Sequence, residues 1–239
     1  SVNKFDNATV TSLTAGLDVL EAESGVKGLL VTSGKPVFVV GADITEFTSL
    51  FGATQEEIKP FTSSNNKNFN RIAALPYPSA VAINGFAMGG GIEACLACDN
   101  RIAESQAQLA LPEPKVGLLP CAGGTQRLSW LVGEGWAKKM ILCGERINAE
   151  TAERIGLVEE VVATGQAKDR ALQLAEQVAQ QSPIAVTYCK ELIHQARDNA
   201  VGDALPYERQ KFVDLFATED QAEGVNAFLE KRAPQWKNC

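Results

Sequence analysis

Two carboxylates stand where the sequence could build acid–base chemistry. Glu93 falls on the first turn of a helix opened by Gly85-Phe-Ala-Met-Gly-Gly-Gly-Ile-Glu93, and Glu113 falls in Leu111-Pro-Glu-Pro-Lys115, a loop stiffened by Pro112 and Pro114. Both have apolar neighbours, Ile92 and Ala94 to Leu96 on one side and Leu109 to Leu111 on the other. Acids in an apolar cleft have raised pKa values and exchange protons near neutral pH. Taken singly, each also has a plainer reading: Glu93 as a charge favoured beside a helix N-terminus, Glu113 as a solvated loop acid.

The glycines beside them suggest a second function. Gly89, Gly90 and Gly91 follow a strand and precede a helix, so they allow close backbone approach and leave unpaired N–H groups at the helix start. In Phe38-Val-Val-Gly-Ala-Asp-Ile-Thr-Glu46, Gly41 permits an unusual backbone and the Ala42 N–H is free to point into a pocket. Two such turns can supply the two converging donors of an oxyanion hole. The plainer readings are a tight strand-to-helix turn and a strand end capped by Asp43. The glycine spacing is not that of a dinucleotide fingerprint, and no Lys-Ser/Thr pair marks a phosphate loop. Leu118-Leu-Pro-Cys-Ala-Gly-Gly-Thr-Gln126 is another glycine turn into a helix, with a backbone N–H near Cys121 placed to hold a water. Cys95 and Cys98 have helical spacing and no second such pair, which does not read as a zinc site. The one histidine, His194, reads as part of an exposed helix face rather than as a catalytic base.

These residues need a scaffold of alternating strands and helices. Residues 7–23 place Val10, Leu13, Leu17 and Leu20 on one helical stripe, with Asn7 as a cap. Short apolar runs at 28–33, 37–40 and 79–84 read as strands, and the pattern predicts an α/β layered fold with a largely parallel sheet. Beyond residue 120 the spacing turns helical: a helix over 148–154, a strand over 157–162, then helices over 167–181, 183–197, 203–217 and 219–231. Pro183 and Pro206 fit helix starts or breaks. The expected division is a sheet-based core over 1–165 and a helical C-terminal lobe over 166–239, packed on the core or on a neighbouring subunit.

Composition excludes other classes. The 239 residues carry 29 Asp+Glu against 22 Lys+Arg, a formal charge of −7. With no basic run, this argues against nucleic acid or an anionic membrane as partner. One histidine excludes multi-histidine metal sites, so no metal is expected. No apolar run reaches the roughly 18 residues of a membrane span. The six cysteines sit mostly among apolar neighbours and read as thiols of a reducing compartment, the cytoplasm.

Together these stretches resemble the crotonase (enoyl-CoA hydratase/isomerase) superfamily, along essentially the whole chain. The matching segments are Gly41-Ala-Asp-Ile-Thr-Glu-Phe47, Asn84 to Glu93, Leu111-Pro-Glu113 with Gly117, Ala122-Gly-Gly-Thr-Gln-Arg127 and Gly144 to Val158, with Asp99 and Arg101 in order between them. The resemblance implies a ββα superhelix (spiral) core with a helical C-terminal trimerisation lobe, a homotrimer or homohexamer, and an acyl-CoA thioester substrate with no cofactor beyond its coenzyme A. It places the oxyanion donors on Ala42 and Gly90 and the catalytic acids on Glu93 and Glu113. Gly41, Asp43, Ile44, Gly89, Pro112 and Cys121 become substrate-binding residues. Trp236 and Lys237 match an aromatic and a lysine near the CoA of a neighbouring subunit. The implied reaction is hydration of a 2-trans-enoyl-CoA to a 3-hydroxyacyl-CoA, in fatty acid β-oxidation or related acyl-CoA degradation. Δ3-Δ2 enoyl-CoA isomerisation and a non-catalytic acyl-CoA or RNA-binding scaffold are the alternatives. Three departures stand out. Cys121 replaces a common glycine and would narrow the acyl pocket, which Phe47, Phe51 and Phe69 also shape. Leu111 replaces a frequent glutamine. The family's usual N-terminal β-hairpin is not in the given residues.

Overall fold

The first helix, α1 (Asn7–Ala22), starts one residue earlier than its apolar stripe suggests. Asp6, not Asn7, is its cap: the Asp6 carboxylate accepts the Thr9 N–H at 2.8 Å, relieving one of the unpaired donors of a helix start. The computed structural model describes residues 2–239, apart from the side chain of Phe61. Their packing divides the chain into two compact units: residues 1–25, 30–75 and 79–172, and residues 26–29, 76–78 and 173–239.

The first unit is built on two sheets. After α1, the chain runs through β1 (Leu29–Val31), α2 (Gln55–Ala74), β2 (Ser79–Ile83), β3 (Phe86–Met88), α3 (Gly90–Ala97), β4 (Asn100–Glu104) and β5 (Gln108–Ala110). It continues through α4 (Gly124–Leu142), β6 (Ile147–Asn148), α5 (Ala149–Arg154), β7 (Glu160–Val162) and the start of α6 (Ala167–Ala179). One sheet has the order β1-β2-β4-β7 and the other β3-β5-β6. From β2 to β5 the chain passes back and forth between the two sheets, which gives the winding of a spiral within the expected, largely parallel α/β architecture. Pairing is parallel at β2–β4, β4–β7 and β3–β5, and antiparallel at β5–β6.

The centre of this unit is apolar and deep. Every residue of β2 is buried, as are residues 91–97 of α3, so any polar side chain on α3 is desolvated. The join between α3 and β4 is fixed by polar contacts. Asp99 accepts the Ser79 N–H at 2.7 Å and its hydroxyl at 2.9 Å. The buried Arg101 donates to the carbonyls of Cys98 (2.8 Å) and Leu157 (2.9 Å) and pairs with Glu159. Cys95 and Cys98 are both buried in this helix region, with the Cys98 thiol donating back to the Ala94 carbonyl.

Residues 37–40 do not form the expected strand. Val39 makes only an isolated bridge to Ala87, because the segment hands its hydrogen bonds alternately to β3 and to residues 3–5. In the C-terminal part, α5 is capped by Asn148, whose side chain accepts the Thr151 N–H at 2.9 Å.

The second unit is helical: the end of α6, then α7 (Pro183–Gln195), α8 (Val201–Leu215) and α9 (Glu219–Glu230). Ser182 caps α7 with Pro183 at its start, and Thr218 caps α9. Pro206 does not mark a break; it lies inside α8, which runs through it. Within this unit Lys190 donates to the Tyr77 carbonyl and Thr187 to that of Pro76. Phe212 on α8, Phe216 just after it, and Phe228 and Leu229 on α9 remain largely exposed. No helix among the described residues is long and apolar enough to cross a membrane.

Candidate active site

The segment 38–43 runs between β3 and residues 3–5. On one side Val39 accepts the Met88 N–H at 2.9 Å; on the other the Val40 N–H donates to Asn3. At Gly41 the backbone turns left-handed, with φ +102°. Beyond it the Phe5 N–H donates to the Gly41 carbonyl at 2.8 Å, and the Asp43 N–H donates to the Phe5 carbonyl at 3.0 Å. In such a parallel bridge the bracketed residue, Ala42, turns its own N–H to the opposite edge. There it finds no acceptor among the described residues.

The facing turn is Gly89–Gly91. Gly89 adopts φ +52° and donates its N–H to Ala110 at 2.9 Å. Gly91 packs directly on the other turn: a Cβ there would lie 2.2 Å from the Val39 carbonyl oxygen. Gly90 opens α3, so its N–H has no intrahelical partner, and none among the other described residues. A Cβ on Gly90 would lie 4.0 Å from the Ala42 nitrogen. The two unpaired donors are therefore neighbours, as two converging glycine turns require.

Glu93, 4% exposed, sits one turn into α3. Its Oε1 accepts the Ala122 N–H at 2.7 Å and the Gly124 N–H at 2.9 Å. Burial raises its pKa, while those two N–H groups and the Arg127 charge pull it back down. Glu113 begins a 3₁₀ turn over Glu113–Val116, and its Oε1 lies 3.2 Å from the Cβ position of Gly89. Its Oε2 is buried and meets no hydrogen-bond partner among the described residues. Burial, reinforced by the charge on Glu93, pushes Glu113 up to about 7. Burial thus raises both acids, but only Glu93 has backbone N–H groups that offset part of the rise. A buried oxygen without a partner is costly unless something else bonds it.

The turn that holds Glu93 is itself held. The Asn66 amide donates to the Cys121 carbonyl at 3.4 Å, and Arg127 donates to the Ala122 carbonyl at 3.3 Å and to the Asn70 side chain at 2.7 Å. Asn70 in turn donates to Asn66 at 3.1 Å. The sequence reading missed Asn66 and Asn70; their one sequence signal is the i,i+4 spacing that puts both on one face of α2. Cys121 is exposed, and burial on its inner side followed by the charges of Glu93 and Glu113 raises its thiol pKa.

Other candidate residues take varied places. Asp43 is occupied by Lys4 and by the Thr45 N–H and hydroxyl, and the Lys4 contact leads in holding its carboxyl below the usual range. Ile44 is exposed, and Phe51 is 81% exposed. Phe47 is half-buried. Phe69 is fully buried on α2, so it supports the site from behind instead of lining a pocket. Pro112, with Val40, Met88 and Lys115, lines a cleft of about 670 Å³. Trp236 and Lys237 belong to the second unit, where they are pinned: the indole donates to the Gln180 carbonyl at 2.7 Å and Lys237 pairs with Glu219 at 2.7 Å. His194, in the last turn of α7, is half-buried rather than exposed.

Comparison with known proteins gives the same picture. Residues 1–239 match the enoyl-CoA hydratase/isomerase family. The chain is 37% identical to the short-chain-enoyl-CoA hydratase of Clostridium acetobutylicum, over 97% of this chain and 88% of that one. It is also 37% identical to the 2,3-dehydroadipyl-CoA hydratase of Escherichia coli, over 98% and 90%. Among solved structures, Pseudomonas aeruginosa DspI superposes with a TM-score of 0.93 at 50% identity, covering 99% of this chain and 90% of that one. An enoyl-CoA hydratase from Bacillus anthracis superposes at 0.91 and 37%, covering 99% and 91%. Spiral fold, ordered motifs and full-length similarity agree: the chain belongs to the enoyl-CoA hydratase/isomerase family.

Proposed function

We propose that this protein hydrates 2-trans-enoyl-CoA thioesters to 3-hydroxyacyl-CoA. The observation that carries the reading is the pairing of two buried acids with different partners: Glu93, whose Oε1 accepts two backbone N–H groups, and Glu113, pushed up to about 7 with an unbonded Oε2. The Ala42 and Gly90 N–H groups bind the thioester oxygen and draw charge onto it, which makes carbon 3 electrophilic. Glu93 takes a proton from water as the water oxygen bonds to carbon 3. Glu113 gives its proton to carbon 2. The pair ends with the proton on the other acid and re-equilibrates. Each oxyanion donor is worth about 3–4 kcal/mol in comparable enzymes, and general acid–base groups about 10²–10⁴ in rate. Addition of water is redox-neutral, so the chemistry asks for no cofactor beyond the substrate's own coenzyme A.

The names of the Clostridium and Escherichia relatives support this reaction over isomerisation. We assign Gly41, Asp43, Ile44, Gly89, Pro112 and Cys121 to the walls of the acyl-CoA site. We also propose a homotrimer or homohexamer assembled through the helical segment 166–239, which the exposed Phe212, Phe216, Phe228 and Leu229 support. In it Trp236 and Lys237 face a neighbouring subunit's coenzyme A. The six free cysteines support a cytoplasmic setting.

The test is turnover of enoyl-CoAs of increasing chain length by wild type, Glu93→Gln and Glu113→Gln. Hydration by wild type, with losses of about 10²-fold or more in each folded variant, is expected. Near wild-type rates in both variants would sink the proposal.

A further inference from the structure

Phe5 touches both oxyanion turns, and no motif singles it out. Its backbone brackets Ala42: the N–H to the Gly41 carbonyl and the carbonyl from the Asp43 N–H aim the Ala42 N–H away from residues 3–5. Its ring meets the other donor: Cδ2 lies 3.2 Å from the Cβ position of Gly90. The ring is buried, and it packs edge-on against Phe69 at 5.5 Å between centroids. Phe69 is fully buried on α2, so the ring has a rigid backing. Neighbours lock the same segment: Asn3 donates to the Phe38 carbonyl at 2.8 Å, and Lys4 pairs with Asp43.

We propose that Phe5 is a positioning residue that sets the spacing between the Ala42 and Gly90 N–H groups; this rests on the reading of those donors as the oxyanion hole. The physical reason is that neither turn can hold that spacing alone. Gly41 and Gly89 are both left-handed, outside a regular ladder, and Gly90 is at a helix start. A misplacement of about 1 Å at a reacting centre costs about 10²-fold in rate. Removing the ring leaves space beside Gly90 into which the turn can relax, while the backbone bridge to Gly41 and Asp43 remains.

The test reads carbonyl polarisation directly. An arylacryloyl-CoA has a conjugated chromophore whose absorption moves to longer wavelength when its thioester oxygen accepts strong hydrogen bonds. Wild type, Phe5→Ala and Phe5→Leu are each saturated with it, and Kd, absorption shift, kcat and KM are measured on protein shown to be folded by circular dichroism. The expected result is a clear red shift in wild type and loss of most of it in Phe5→Ala. That variant should have kcat lower by about tenfold to hundredfold and Kd within about threefold of wild type. Phe5→Leu, which refills the space, restores most of the shift. A Phe5→Ala protein with the full shift and unchanged kcat overturns the proposal, as does equal loss in Kd and kcat with the shift retained. If Phe5→Ala does not fold, Phe5→Val takes its place with a partial loss expected, and an unchanged shift there overturns the proposal equally. A wild-type protein that binds the probe and hydrates enoyl-CoA without any red shift removes the oxyanion reading itself. A normal wild-type shift with no effect of Phe5 removes only the positioning role.

Discussion

In the proposed reaction two carboxylates, Glu93 and Glu113, share one proton. Glu113 is pushed up to about 7 by burial and by Glu93, while the rise that burial causes at Glu93 is partly offset by the Gly124 and Ala122 N–H groups. Hydration and its reversal both start from the singly protonated pair, so kcat/KM in both directions is expected to fall together as pH rises through about 7. A pH–rate profile measured in both directions checks this, and a flat profile from about pH 6 to about pH 9 contradicts it. The same acid affects folding. Because its pKa is raised from 4.5 to about 7, folded Glu113 holds its proton more tightly than the unfolded chain does. The stability this lends is complete below 4.5 and is lost as pH rises through about 7. Glu113→Gln, neutral at every pH, is therefore expected to gain stability relative to wild type between about pH 5 and about pH 8, as read from denaturant midpoints. Both acids were legible in the sequence because each is a carboxylate set in an apolar run beside Gly or Pro. What set them apart was not legible. The N–H groups that hold Glu93 come from residues 29 and 31 positions away.

Glycine turns packed against the start of α3 position the proposed site. Gly91 lies against the Val39 carbonyl, where a Cβ would come within 2.2 Å, and that oxygen is backbone and cannot swing aside. Gly91→Ala is expected to lower stability by about 3 kcal/mol and to abolish turnover, read from denaturant unfolding and a hydration assay. The brace on the Glu93 turn gives a milder case. Asn70→Leu removes the acceptor of Arg127 and is expected to lower kcat about tenfold with KM little changed, whereas Asn70→Asp keeps the acceptor and most of the rate. Periodicity located all four helices after residue 166, because each has an apolar stripe and two of them, α7 and α9, begin at a proline, serine or threonine boundary. It failed where local pattern and tertiary role conflict. Residues 37–40 are apolar enough for a strand, yet they are shared between β3 and residues 3–5 and make no ladder. Pro206 has the chemistry of a break but sits inside α8.

At the scale of the molecule, residues 5, 42, 90, 93 and 113 all fall in the unit built on the two sheets. The spiral winding was legible only through the ordered motifs of the family resemblance; the short apolar runs by themselves described an α/β layered fold with a largely parallel sheet. A chain with exposed Phe212, Phe216, Phe228 and Leu229 is expected to assemble. Light scattering should give three or six times the chain mass, and a monomer at working concentration contradicts that. The central claim concerns where water and protons go, and one measurement addresses it. A short 2-trans-enoyl-CoA is turned over in water labelled with heavy oxygen and deuterium, and the product is read by mass spectrometry. The expected product carries the heavy oxygen on carbon 3 and one deuterium on carbon 2. A product with no oxygen gained and its double bond moved would contradict the account.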